Sequence, residues 1–239
     1  MRIRKIPALL TDMLFPRICP VCNRIVSPFG ADICTDCIQK LTFVNEPVCA
    51  RCGKPLDEEG DLCSDCANMD HVYEKGCAAL VYDEYISKSI YRFKYNGKQE
   101  FSHFYGRIMS ERLGDIIKSW NVEAIVPVPV HRSKLKKRGY NQAALIAKEL
   151  SKRLKIPVNE ALVIRTADTK VQKNLGARER QNNLKGAFKV PRNSVELNTV
   201  LIVDDIYTTG ATVDSVARCL KGAGVSSVYS ATLCIGRGN

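Results

Sequence analysis

The stretch VLIVDDIYTTGAT, residues 200–212, narrows the choice of fold more than any other part of the chain. Val200 to Val203 is a continuous apolar run, mostly β-branched, which suits a strand buried on both faces of a parallel sheet. Asp204 and Asp205 follow at once, and Tyr207, Thr208, Thr209, Gly210, Ala211 and Thr212 read as a loop. Val213, Val216, Ala217 and Leu220 then recur at helical spacing. A loop that joins a buried strand to a helix N-terminus sits where open α/β sheets bind ligands. Backbone N–H groups and hydroxyls hold phosphate there, helped by the helix dipole. Glycine lets the backbone approach closely, and two adjacent carboxylates can bond a diol such as ribose. An ordinary strand–turn–helix with a Thr-rich cap is the alternative. Strand, acids, loop and helix in this order favour the ligand site.

This combination resembles the phosphoribosyl-pyrophosphate (PRPP) motif of type I phosphoribosyltransferases. The resemblance implies that the segment Tyr207–Thr212 holds the ribose 5′-phosphate. It further implies that Asp204 and Asp205 contact the ribose hydroxyls, with Mg²⁺ accompanying PRPP. A second phosphate loop is expected after an earlier strand, for which Ala124–Pro129 is the candidate. The loop His131–Gln142 follows and contains Arg132, Lys134, Lys136, Lys137, Arg138 and Gly139. A basic, glycine-containing loop is what a bridging pyrophosphate requires, so Arg138 and Gly139 are candidate PRPP ligands. A helix should follow, with Ala143, Ala147, Leu150 and Leu154 as its stripe. Residues 166–186 are long, polar and basic. In catalytic relatives a loop here closes over the substrate, and Arg178 and Arg180 could reach pyrophosphate oxygens; a surface loop is the alternative. If transfer occurs, the catalytic candidates are Asp204, Asp205, Arg178 and Arg180.

Eight of the 11 cysteines form four Cys-x-x-Cys pairs: Cys19/Cys22, Cys34/Cys37, Cys49/Cys52 and Cys63/Cys66. Two such pairs at this spacing bring four thiolates to one tetrahedral Zn²⁺. The region has few large apolar residues and needs such a staple. Two structural zinc ribbons are therefore expected, grouped sequentially, with an interleaved grouping left open. Cys77, Cys219 and Cys234 lie on apolar patterns and read as buried free thiols. No secretory leader or membrane-spanning run is evident, so a cytoplasmic protein with reduced or metal-bound thiols is expected. Residues 1–17 read as a short amphipathic helix and 67–76 as a polar linker. The expected division is residues 1–76 for helix and ribbons and 77–239 for an α/β, parallel-sheet, phosphoribosyltransferase-like domain. In that domain, strands are expected at 77–82, 162–165 and 225–235, and helices at 84–95 and 101–117.

The net charge is +11, but residues 131–192 alone carry 17 Lys and Arg against 4 Asp and Glu. A positive field focused beside the expected phosphate site attracts polyphosphate or nucleic acid. Arg132, Lys134, Lys136, Lys137, Arg138, Lys170, Lys173, Arg178 and Arg180 are the candidates for DNA phosphate contact. A second candidate is Tyr91-Arg92-Phe93-Lys94-Tyr95-Asn96-Gly97-Lys98, where aromatics alternate with bases. Such a mixture can stack on and neutralise single-stranded nucleic acid, but at helical spacing it is more often half core and half solvated face.

Arg138-Gly139-Tyr140-Asn141-Gln142 after a Val-Pro-Val-Pro strand resembles the ComF family of bacterial competence proteins. So does the later run of Lys170, Gln172, Leu175, Arg180, Asn183, Leu184, Gly186 and Phe188, as do Cys-rich ribbons ahead of the phosphoribosyltransferase-like domain. The resemblance spans essentially the whole chain. It implies help with transport or handling of incoming single-stranded DNA in natural transformation, with competence and recombination proteins such as the uptake ATPase as partners. An active phosphoribosyltransferase using Mg²⁺ and PRPP with an unknown acceptor is the competing reading. A PRPP-sensing regulator ranks last, because no recognition-helix module precedes the fold.

Overall fold

The computed structural model describes residues 15–57, 60–167, 184, 186–191 and 196–237. Residues 1–14 of the N-terminal helix expected over 1–17, and most of the loop 166–186 with Lys170, Lys173, Arg178 and Arg180, lie outside the described residues.

The centre is a four-stranded parallel sheet made of β1 (Gly76–Val81), β2 (Ala124–Pro127), β5 (Thr199–Tyr207) and β6 (Ser227–Ile235). Its order is β1-β6-β5-β2, so β5 and β6 are flanked on both sides. Central, doubly covered strands require continuous apolar runs, and Val200 to Val203 are fully buried. The strand runs further than expected: Asp204 pairs with Thr232 and Tyr207 with Ile235, so both acids sit on β5 rather than in a loop. β2 stops two residues short of the expected Pro129, although Val128 N still donates to Val203 O at 2.9 Å. Prolines 127 and 129 cannot donate to a ladder, and this ends the strand.

One face of the sheet is covered by α3 (Glu84–Tyr95), α4 (Phe101–Ser119) and α6 (Gln142–Leu154), with Ile86, Phe93, Phe104, Tyr105 and Leu150 in the core. The other carries α7 (Ala211–Gly222), which buries Val213, Val216, Ala217 and Leu220. Local capping sets the helix starts. Asp83 Oδ1 accepts from the N–H of Tyr85 and Ile86, and Asn141 Oδ1 accepts from Ala143. The expected basic loop is largely a helix, α5 (Arg132–Arg138). His131 caps it, its interior lacks helix breakers, and Gly139 at φ +82° closes it with its N–H on Leu135 O. The expected strand at 162–165 reduces to β3 (Ile164–Arg165), paired antiparallel with β4 (Phe188–Lys189) outside the main sheet.

The cysteine region wraps the β1 side. Each quartet combines a tight turn, closed by Asn23 N on Cys19 O or Gly53 N on Cys49 O, with one helical turn. Those turns are α1 (Thr35–Ile38) and α2 (Ser64–Ala67). Arg92 donates to the carbonyls of Pro20 and Val21, and Arg107 forms a two-pronged pair with Asp32, fixing the first quartet on α3 and α4. Between the quartets, Val81 N donates to Thr42 O, and Val44 N to Ala79 O, so this segment covers the outer edge of β1. The opposite edge is covered where Ile125 N donates to Pro157 O and Asn159 N to Ile125 O.

Two local expectations need correction. Residues 71–74 are no solvated linker, because Tyr73 is fully buried. Cys219 is only half-buried, its thiol bonded to Phe188 O, whereas Cys77 and Cys234 are buried. The helix α3 separates its aromatics by face, and this gives a stability test. Phe93→Ala should cost about 3–5 kcal/mol by emptying the core, whereas exposed Tyr91→Ala should stay within about 0.5 kcal/mol. Urea unfolding of both variants checks the contrast.

Candidate functional site

The C-terminal ends of β2 and β5 lie side by side, so the chain after each emerges at one end of the sheet. Asp205 is buried there, and its Oδ2 lies 2.5 Å from Lys94 Nζ on α3. Burial works against the Lys94 charge, but the Asp205 carboxylate outweighs it and raises the lysine pKa. Asp204 is half-buried and accepts from the backbone N–H of Asp205 at 2.8 Å. Burial and the neighbouring carboxylate push its pKa well above the usual range. The two acids therefore differ: Asp205 is held by a cation, and Asp204 resists ionisation until a cation or hydrogen-bond donor arrives.

Next comes the turn into α7. Gly210 is its N-cap residue, with φ +79°. A Cβ at that position would meet Tyr207 Oη at 2.5 Å and His71 Cε1 at 2.7 Å, so only glycine fits. Thr209 Oγ1 is buried with no hydrogen-bond partner, Thr208 is exposed, and Ala211 and Thr212 form the first turn. A glycine cradle, an orphan hydroxyl and free N–H groups at the start of a 12-residue helix suit an anionic oxygen. The turn is braced from behind. Tyr207 Oη shares a 2.7 Å hydrogen bond with Tyr73 Oη. Asp214 accepts from Val72 N and pairs with His71 Nδ1, both at 2.8 Å. Arg51, inside the second quartet, donates to the carbonyls of Tyr73 and Glu74, which connects that quartet to the turn.

The segment after β2 is braced by the residues that stood out in sequence. Tyr140 Oη donates to Phe93 O, Asn141 Nδ2 to Val128 O at 3.0 Å, and Arg138 Nη1 to Gln142 Oε1 at 3.0 Å. Arg138 also donates to the hydroxyl of Tyr95, the residue after Lys94 on α3, and its charge opposes that of Lys94. Gly139 ends α5 beside it. Arg132, Lys136 and Lys137 are exposed on α5, and Lys134 is half-buried there. A cleft of about 790 Å³ runs along α5, lined by His131, Arg132, Leu135, Tyr140, Ile164 and Arg165 among others. His71, Tyr73 and Asp214 were missed in sequence, and Lys94 was noticed only as one base of the Tyr91–Lys98 stretch, without its partner Asp205. Among the three missed residues only Asp214, beside Val213 on the buried stripe of α7, carried a local signal.

The cysteines fall into the two sequential quartets, Cys19/22/34/37 and Cys49/52/63/66, with all four sulfurs of each within 4.8 Å of one another. A tetrahedron with Zn–S bonds of about 2.3 Å has edges of about 3.8 Å. The Cys22–Cys34 and Cys52–Cys63 sulfur separations are 3.9 and 3.7 Å. The donor sets thus fit two structural zinc ions, and the interleaved grouping is excluded.

Known proteins match the same two parts. Residues 10–67 match the double zinc ribbon domain and residues 140–239 the phosphoribosyl transferase domain. A hypoxanthine phosphoribosyltransferase structure from Staphylococcus aureus aligns over 57% of this chain and 64% of its own, at 17% identity and a TM-score of 0.34. The DNA utilization protein YhgH of Escherichia coli is 28% identical over 92% of this chain and 97% of its own. Competence protein F of Haemophilus influenzae is 31% identical over 82% of this chain and 87% of its own. Similarity of that extent, reaching from the ribbons through the phosphoribosyltransferase domain, means that the chain belongs to the ComF family of competence proteins.

Proposed function

We propose that this chain binds incoming single-stranded DNA and PRPP-like phosphates, and aids handling of the strand in natural transformation. It would act in the cytoplasm beside competence and recombination proteins such as the uptake ATPase. The observation that carries this reading is the end of the sheet. Asp204, Asp205, Thr209 and the Gly210 cradle gather there, next to a helix with five cations and no acid. The printed names of the relatives, competence protein F and DNA utilization protein, support the DNA part. Among the described residues, no helix is long and apolar enough to cross a membrane, which is compatible with this role.

In this reading Thr209 and the first N–H groups of α7 take the ribose phosphate, and Asp204 and Asp205 the ribose hydroxyls or the Mg²⁺ of Mg–PRPP. When bound, that ion would offset phosphate charge. Lys94 Nζ, 2.5 Å from Oδ2 of Asp205, orients that carboxylate. Arg138 and Gly139 are the candidates for the pyrophosphate end, with Arg178 and Arg180. Turnover to an acceptor is a second reading, supported by the paired acids, and release of pyrophosphate from Mg–PRPP decides it.

Asp204→Asn with Asp205→Asn should lower Mg–PRPP affinity at least about tenfold, and Thr209→Val by a similar factor, with the circular dichroism unchanged. Titration calorimetry giving parental affinity in both would remove the site. Metal analysis should find about two zinc per chain, and Cys19→Ser or Cys49→Ser should each lose one. Retention of both ions in either variant would contradict the quartets. For DNA, if about five phosphates are neutralised, log affinity should fall with log salt at a slope near −3.5. Replacing Lys136, Lys137 and Arg138 with Ala should flatten the slope for every sequence alike. An unchanged slope would move the phosphate contacts off α5.

A further inference from the structure

The helix α3 turns Phe93 into the core and leaves two tyrosines outside. Tyr91 is 60% exposed and Tyr95 53%, although both are large apolar side chains on a well-packed helix. They stand one turn apart, with ring centroids 5.0 Å apart. The guanidinium of Arg138 lies 4.8 Å from the Tyr95 ring centre and donates to its hydroxyl at 3.1 Å. Arg138 is the last residue of α5, so the tyrosine pair runs directly into the basic helix. Lys136 and Lys137, in that same last turn, are exposed and form no ion pair among the described residues.

A helix pair of this kind adds only about 0.2–0.5 kcal/mol to its own helix. Neither folding nor the phosphate site calls for two open rings here. Aromatic faces bordered by unpaired cations are the arrangement that takes up single strands, because bases stack on rings while phosphates meet the charges. Duplex DNA keeps its bases stacked on one another and offers the rings nothing. An acidic protein would use the cations but not the rings.

We propose that Tyr91 and Tyr95, with Arg138 as the third member of the column, form a stacking platform for the bases of single-stranded nucleic acid. The exposed lysines of α5 take the adjoining phosphates. The proposal rests on the reading that single-stranded DNA is a partner, and it names where the bases go. It also makes Arg138 common to both ligands, since this residue touches Tyr95, the neighbour of Lys94 on α3.

The test uses the full zinc-loaded chain and fluorescence anisotropy with two labelled probes, oligothymidylate and an abasic phosphodiester strand of equal length. Tyr91→Ala with Tyr95→Ala should weaken oligothymidylate binding by roughly tenfold or more. It should leave abasic binding unchanged. Tyr91→Phe with Tyr95→Phe should keep parental affinity for both probes, which separates stacking from a fold defect. Lys136→Ala with Lys137→Ala should weaken both probes alike. Photocrosslinking of 5-iodouracil in the strand should map to Tyr91 or Tyr95. If the parent binds oligothymidylate and the double alanine variant binds it equally well, the platform is wrong and the DNA reading stands. If the parent binds neither probe, both fall.

Discussion

A carboxylate buried at the end of a central strand must meet a cation, and Asp205 meets Lys94. An unpaired charge in that position would cost several kcal/mol, whereas a close ion pair offsets most of the desolvation. The requirement fixes more than two side chains. Lys94 can reach the sheet only if α3 lies across its end, and that placement drives Phe93 into the core. The carbonyl of Phe93 then receives the Tyr140 hydroxyl, which seats the corner between α5 and α6. Arg138, on that corner, turns back over Tyr95. The ligand end of the sheet, the basic helix and the exposed tyrosines are thus arranged around a single ion pair.

The phosphate turn has its own support, and it comes from the other side of the sheet. His71, Val72 and Tyr73 lock onto Asp214 and Tyr207, while Arg51 holds the same segment by its carbonyls. The His71 and Asp214 side chains are essentially without solvent contact, so their bond is undiluted by water. Tyr73 and Tyr207 are pushed far above the usual phenol range by burial, so their hydroxyls keep the protons that the shared bond needs. The glycine-bearing turn is therefore held rigid behind while it stays open in front.

What could be read in the sequence was what the chain settles locally. The apolar run Val200–Val203, the helix over 84–95 and the four cysteine pairs each declare their structure within a few residues. The quartets also paired as simple proximity along the chain suggests. Legibility failed where partners are far apart in sequence. Nothing near Lys94 announces Asp205, and His71 sits in a stretch whose polar composition suggests solvent. It failed again at α5, where a dense run of cations looked like a loop, although a cap at His131 and a stop at Gly139 define a helix. The hydrogen bonds of Tyr140, Asn141 and Gln142 show that residues noticed for a family resemblance can be spent mainly on bracing.

The short segment Thr42–Val44, which lies along β1, has a meaning beyond architecture. A bare strand edge offers a row of unsatisfied donors and acceptors to any other chain. Here that row is covered by a stretch strung between two metal-dependent folds, so its cover is only as durable as their metal. Loss of zinc would therefore free this edge for pairing with another chain and, through Arg51, would also loosen the support behind the phosphate turn.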